Sequence, residues 1–106
     1  GALDSPGMPM ARVRVMYWKE IPYAVRASDA DGQASRQLPE AFQEAIDAAA
    51  MADGDTAAEA YSAAFRWGPA EERPGAAAVV AEAVVEEIVA AYDRERLARL
   101  ARREPA

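Results

Sequence analysis

The sequence predicts an α+β fold: a small, mainly antiparallel sheet in the order β-β-α-α-β-α, with its helices packed on one face. Three observations lead there. Residues 12–18 follow the period-two pattern of a half-buried strand, a second alternating run follows Pro22, and stretches of helical periodicity come after both.

In the first strand Val13, Val15 and Tyr17 share one face, and Arg12, Arg14, Met16 and Trp18 share the other. The register therefore expects Met16 and Trp18 on the side away from the helices, because a one-residue slip would reverse every side chain. Lys19, Glu20, Ile21 and Pro22 read as a turn, and Pro22 suits the start of a second strand because it has no N–H to give to a ladder. Tyr23, Val25 and Ala27 then alternate with Ala24, Arg26 and Ser28, and Asp29 to Gly32 form a tight turn. Residues 33–37 fit either a short third strand or a loop.

Pro39 belongs at the start of a helix, with Glu40 and Glu44 near the positive end of its dipole. Phe42, Ala45, Ile46 and Ala49 share a face, and Gly54 is the expected C-cap after an end near Met51. Thr56 and Glu59 make a capping-box pattern for a second, short helix that turns Tyr61, Ala64 and Phe65 inward. Helical periodicity fails over residues 66–73, where Gly68-Pro69 breaks the helix and a short strand rejoining the sheet accounts for Trp67. After Pro74-Gly75 a long helix is expected to about Arg102, with Val80, Ala81, Val84, Ile88, Ala91 and Tyr92 as its core stripe.

A chain of 106 residues is expected to form one domain, spanning 11–102, between a disordered lead-in over 1–10 and a tail over 103–106. Met8 and Met10 are candidate natural starts. The apolar fraction is 52%, but 28 residues are Ala, so each large core side chain carries unusual weight. With no Cys and no His, the composition excludes disulfides, thiolate nucleophiles, imidazole bases and the ordinary zinc sites. No cofactor is implied. The sequence offers neither a signal-peptide pattern nor an apolar run of transmembrane length, so the expectation is a cytoplasmic protein without membrane attachment.

A net charge of −6 disfavours phosphate backbones and anionic membranes as partners. The charge is unevenly placed. Residues 11–38 carry five basic and three acidic side chains, whereas residues 39–63 carry six acidic and none basic. Arg12, Arg14, Lys19 and Arg26 with Tyr17 and Trp18 could stack single-stranded bases, but the aromatic-glycine signature of RNA-binding sheets is missing.

Asp29-x-Asp31-Gly32 and Asp53-Gly54-Asp55 resemble fragments of calcium loops without the remaining ligands, and turn or cap chemistry explains both. Glu86 and Glu87 point about 100° apart on a helix and do not converge, and neither Ser35 nor Ser62 has a base to activate it. The residues expected to bind something are Arg12, Arg14, Met16, Trp18, Arg26, Arg66 and Trp67, since Trp and Arg are enriched at binding hot spots. Filling an Ala-rich core is the competing role for both Trp residues.

The Trp18-x-x-Ile21-Pro22 turn, the helix from Leu38 to Met51, and the stretch from Asp55 to Trp67 with Tyr61 together resemble a family of small bacterial "virulence factor" proteins. The same domain is found at the end of a larger protein, conserved virulence factor C. The resemblance covers roughly residues 12–97 and carries over no catalytic residue. The lack of any catalytic constellation, together with that larger relative, leads to the expectation of a non-catalytic module that binds a protein partner or serves as an accessory subunit. The alternative is a binder of a small anionic ligand, held by arginines and a Trp beside the sheet. A pocket lined by two arginines and a Trp would favour the ligand, and a flat sheet the protein.

Overall fold

The computed structural model describes residues 9–104. Residues 1–8 of the expected lead-in and the last two of the expected tail lie outside the described residues. Three strands open the fold: β1 (Met10–Trp18), β2 (Ile21–Asp29) and β3 (Gly32–Gln37). They form an antiparallel meander, so residues 33–37 are strand and not loop. Helices α1 (Glu40–Asp53) and α2 (Ala58–Ala63) follow, then short strands β4 (Phe65–Trp67) and β5 (Glu71–Pro74), then helices α3 (Ala77–Ala91) and α4 (Arg94–Ala101). Both short strands pair antiparallel with β1, one at each end of it, in a sheet ordered β3-β2-β1-β4 with β5 also beside β1. The α+β class holds, and the element order is richer than the sequence suggested.

The first two turns have clear local causes. Asp29 Oδ1 accepts from the backbone N–H groups of Asp31 and Gly32 at 2.8 and 3.0 Å, closing the β2–β3 turn. Its other oxygen accepts from Ala77 N at 2.8 Å and so ties the start of α3 to the sheet. These backbone donors, Ala77 foremost, hold the Asp29 carboxyl below its ordinary pKa. Lys19, in the β1–β2 turn, has φ of 52°, rare for a residue with a Cβ. It is held there by a backbone bond to Ala64 O at 3.1 Å and by Nζ contacts to Asp53 and Asp55 at 2.8 and 2.6 Å.

Helix α3 packs on the face that carries Val13, Val25 and Ala27, and contributes Ala77, Val80, Ala81 and Val84 to the core. Val13 and Val25 are almost fully buried and Val15 is half-buried, as the strand register requires. Two ion pairs fasten the same layer: Arg36 to Glu82 at 2.6 Å and Arg73 to Glu87 at 2.5 Å. Helix α1 ends at Gly54, whose φ of 80° makes it the expected C-cap. It packs against α4 and brings Phe42 to 6.1 Å from the Tyr92 ring.

The long last helix is broken in two. Asp93 acts as N-cap of α4 by accepting from Arg96 N at 2.8 Å, and Tyr92 leaves helical geometry with ψ of 77°. The expected stripe therefore stops at Ile88 and Tyr92, with Ala91 exposed, and Leu97 and Leu100 of α4 start a second apolar face. The Thr56 capping box is not formed: α2 starts one residue later, with Ala57 at the N-cap and no side-chain bond.

Candidate functional site

The register of β1 with its neighbours decides which side chains share the outer face. Arg12 stands opposite Ser28, Arg14 opposite Arg26, and Met16 opposite both Ala24 and Trp67. On β3, Ser35 pairs with Arg26 and Gln33 with Ser28. Arg12, Arg14, Met16, Arg26 and Trp67 therefore gather on one surface, flanked by Gln33 and Ser35. All three arginines are exposed, and Met16 and Trp67 are half-buried.

Trp67 is the centre of this surface. The Arg26 guanidinium lies 4.9 Å and that of Arg14 6.0 Å from the Trp67 ring centroid, both within the range of cation–π attraction. Arg14 Nε also donates to Gly68 O at 3.1 Å, which orients the side chain and leaves its terminal nitrogens free of that bond. Gly68 is placed by its own N–H, which donates to Val15 O at 2.7 Å. A Cβ there would stand 3.0 Å from the Tyr17 ring and 3.3 Å from Val15 O, so the close approach of this bend to β1 favours a glycine.

Two expected members belong elsewhere. Arg66 pairs with Tyr17 and projects to the opposite side of the sheet, where its guanidinium lies 5.3 Å from the Tyr17 ring and reaches Lys19 O at 3.2 Å. Burial, the largest influence, and the nearby Tyr92 phenol raise the Tyr17 pKa, and Arg66 lowers it. Trp18 is the larger correction. It points away from Tyr17 as expected but is 0% exposed, not open to solvent.

The cause is α2, which lies over this end of the sheet. Trp18 Nε1 donates to Tyr61 O at 2.9 Å, and the two rings stand 5.9 Å apart. Phe65, opposite Trp18 on β4, packs 5.5 Å from Tyr61 and 5.1 Å from Tyr23. A bulge helps build this cluster: Met16 pairs with Ala24 but Tyr17 with Pro22, so Tyr23 is an extra residue on β2. Among the pair Trp18 and Trp67, one fills the core and the other marks the surface.

Several clefts of the described residues lie off the arginine face. One lies at Tyr23, Gln37, Leu38 and Gln43, another beneath Val15, Tyr17, Gly68 and Val84, and a third at Phe42, Val89, Tyr92 and Leu97. None includes Arg14, Arg26 or Trp67. Among the described residues no group of three or more acidic side chains is placed to hold a metal ion, and no helix is long and apolar enough to cross a membrane. Asp53 and Asp55 serve Lys19 instead, and Lys19, more than Arg103, holds the Asp53 carboxyl below its ordinary pKa. Gln33 and Ser35 enter the site because β3 forms, a signal too weak in Gly32–Gln37 to read from periodicity.

No curated protein and no solved structure matches the chain. A family model does, over residues 16–101, a span that takes in Trp18 and Trp67 and begins after Arg12 and Arg14; the chain belongs to the virulence factor family.

Proposed function

We propose that this domain is a non-catalytic module that binds a protein partner through the open sheet face of Arg12, Arg14, Met16, Arg26 and Trp67. The observation that carries the reading is the pair of guanidinium groups from adjacent strands set over one half-buried indole, with Arg12, Arg14 and Arg26 exposed on the side of the sheet opposite α3. Trp and Arg in such a setting are the side chains that most often dominate protein–protein binding. The clefts described above leave out Arg14, Arg26 and Trp67, which favours a protein over a small anion, because small ligands bind in concave sites that enclose most of their surface. The lack of His and Cys, and of any base beside Ser35 or Ser62, supports a module that binds without reaction. A cysteine-free composition also suits a cytoplasmic setting.

Affinity capture from native lysate, followed by mass spectrometry, tests this reading. The wild-type domain is expected to retain a partner that the Arg14→Ala/Trp67→Ala variant loses, with the far-UV circular dichroism of the two unchanged. Equal capture by the folded variant would move the site to the acidic helices or to the basic stretch from Arg94 to Arg103.

A further inference from the structure

The arginines of this chain fall into two groups. Arg36, Arg73, Arg99, Arg102 and Arg103 each have a carboxylate within ion-pair distance. Arg12, Arg14, Arg26, Arg66, Arg94 and Arg96 have none among the described residues, although the chain holds 18 acidic residues against 12 basic ones; of these six, Arg12, Arg14 and Arg26 share the outer face of the sheet. Glu72 stands across the ladder from Arg12 and still forms no ion pair with it. Arg14 and Arg26 are moreover direct cross-strand neighbours, an arrangement of like charges that costs stability in an isolated sheet. The Trp67 ring relieves part of that repulsion, and an anion between the two guanidinium groups would relieve the rest.

We propose that Arg12 and the Arg14–Arg26 pair form a carboxylate clamp for an extended, acidic segment of the partner protein; this rests on the open face being the binding surface. The spacing supports an extended ligand. Arg12 and Arg14 are two residues apart on one strand, about 6.8 Å along its axis, which is also the repeat of alternate side chains in any extended chain. A segment lying along β1 with acidic residues at every second position therefore meets Arg12 with one carboxylate and the Arg14–Arg26 pair with the next. Arg14 is already oriented by the Gly68 carbonyl and Arg26 by Trp67, so little side-chain freedom is lost on binding. Met16 and the uncovered part of Trp67 offer apolar contact beside the charges. A nucleic-acid backbone is a poorer match, because a long polyanion also meets the field of a protein with net charge −6.

The test uses fluorescence anisotropy with a labelled peptide of five Glu-Ser repeats. Wild type is expected to bind it in a salt-sensitive manner, and Arg14→Gln/Arg26→Gln to weaken binding by about tenfold or more. Arg36→Gln, which alters an arginine on the α3 face, should leave binding unchanged. A peptide with the five glutamates in one block should bind less well than the alternating one.

Equal binding by the Arg14→Gln/Arg26→Gln variant, equal binding of a Gln-Ser peptide, or tighter binding of a thymidine oligonucleotide would each overturn the clamp. The lysate experiment separates the two readings. If no acidic peptide binds but capture is still lost in Arg14→Ala/Trp67→Ala, the acidic chemistry falls and the binding face stands. If capture is also unchanged, both fall.

Discussion

Replacing Trp18 tests how this small core is held, and the structure fixes what each substitution removes. The side chain is fully buried, donates its indole N–H to the Tyr61 carbonyl at 2.9 Å, and packs against the Tyr61 ring. Trp18→Ala deletes the largest fully buried side chain of an Ala-rich domain and should cost about 3–5 kcal/mol, the usual range for loss of a core aromatic. Trp18→Phe keeps a ring but loses the hydrogen bond, worth about 0.5–1.5 kcal/mol net, and leaves a smaller void, so a loss of about 1–3 kcal/mol is expected.

Against a typical total of about 5–15 kcal/mol, the Ala variant should stand near the limit of folding. Urea denaturation followed by far-UV circular dichroism measures both variants, and leaves Trp67 fluorescence as a second probe. A Trp18→Ala loss under about 1 kcal/mol would mean that Trp18 does not fill the core and that α2 does not cover the sheet end.

Other perturbations separate the parts of the fold. Gly68→Ala should lower the melting temperature and loosen the β4–β5 bend, since its Cβ would lie 3.0 Å from the Tyr17 ring; an unchanged melting curve would show that the ring moves freely. Phe42→Ala should cost about 3–5 kcal/mol in urea titrations, and more than Ile88→Ala, because Phe42 is 2% exposed and Ile88 only half-buried; the reverse order would misplace the core.

Acid should destabilise the protein through Asp29, Asp53 and Glu87, whose folded pKa values are lowered chiefly by Ala77 N–H, by Lys19 and by Arg73 respectively. Their contribution is complete above the unfolded carboxylate range near about 4 and is lost as pH falls through the lower folded values. The melting temperature should thus decline below about pH 4, and Asp29→Asn should flatten that decline; an identical slope in the variant would remove Asp29 from the account.

What the sequence made legible was direction; what it withheld was coverage. Alternation correctly set Val13, Val15 and Tyr17 against Arg12, Arg14 and Met16, because side-chain direction in a strand is a local property. Whether Trp18 met solvent depended on α2, forty residues away in the chain, and no local pattern reports that. The bulge at Tyr23 interrupts the β1–β2 register and is equally invisible beforehand. The break before α4 did leave a mark, since Asp93 is a good N-cap, but helical periodicity on both sides of it masked the stop. At Thr56 the opposite happened. A favourable cap pattern was present, but the chain there is committed to Asp55, which binds Lys19 and pairs its N–H with Ala50 O.

The same logic explains why a chain with net charge −6 presents a basic face. The acidic excess of residues 39–63 sits on α1, α2 and their connection, and part of it is spent on Lys19 and Arg103, which bind Asp53 at the end of the sheet. Glu82 and Glu87 of α3 meet Arg36 and Arg73 on the inner face. Neither group can reach across the sheet to Arg12, Arg14 and Arg26, because strand alternation turns those three to the side that α3 does not cover. The separation of charge follows from topology, and it leaves Trp67 with two cations and no internal counter-ion among the described residues. A partner that supplied the missing carboxylates would gain both the new ion pairs and the relief of an existing repulsion. Binding should therefore weaken steeply with salt, in contrast to the fold itself, whose core contacts are apolar.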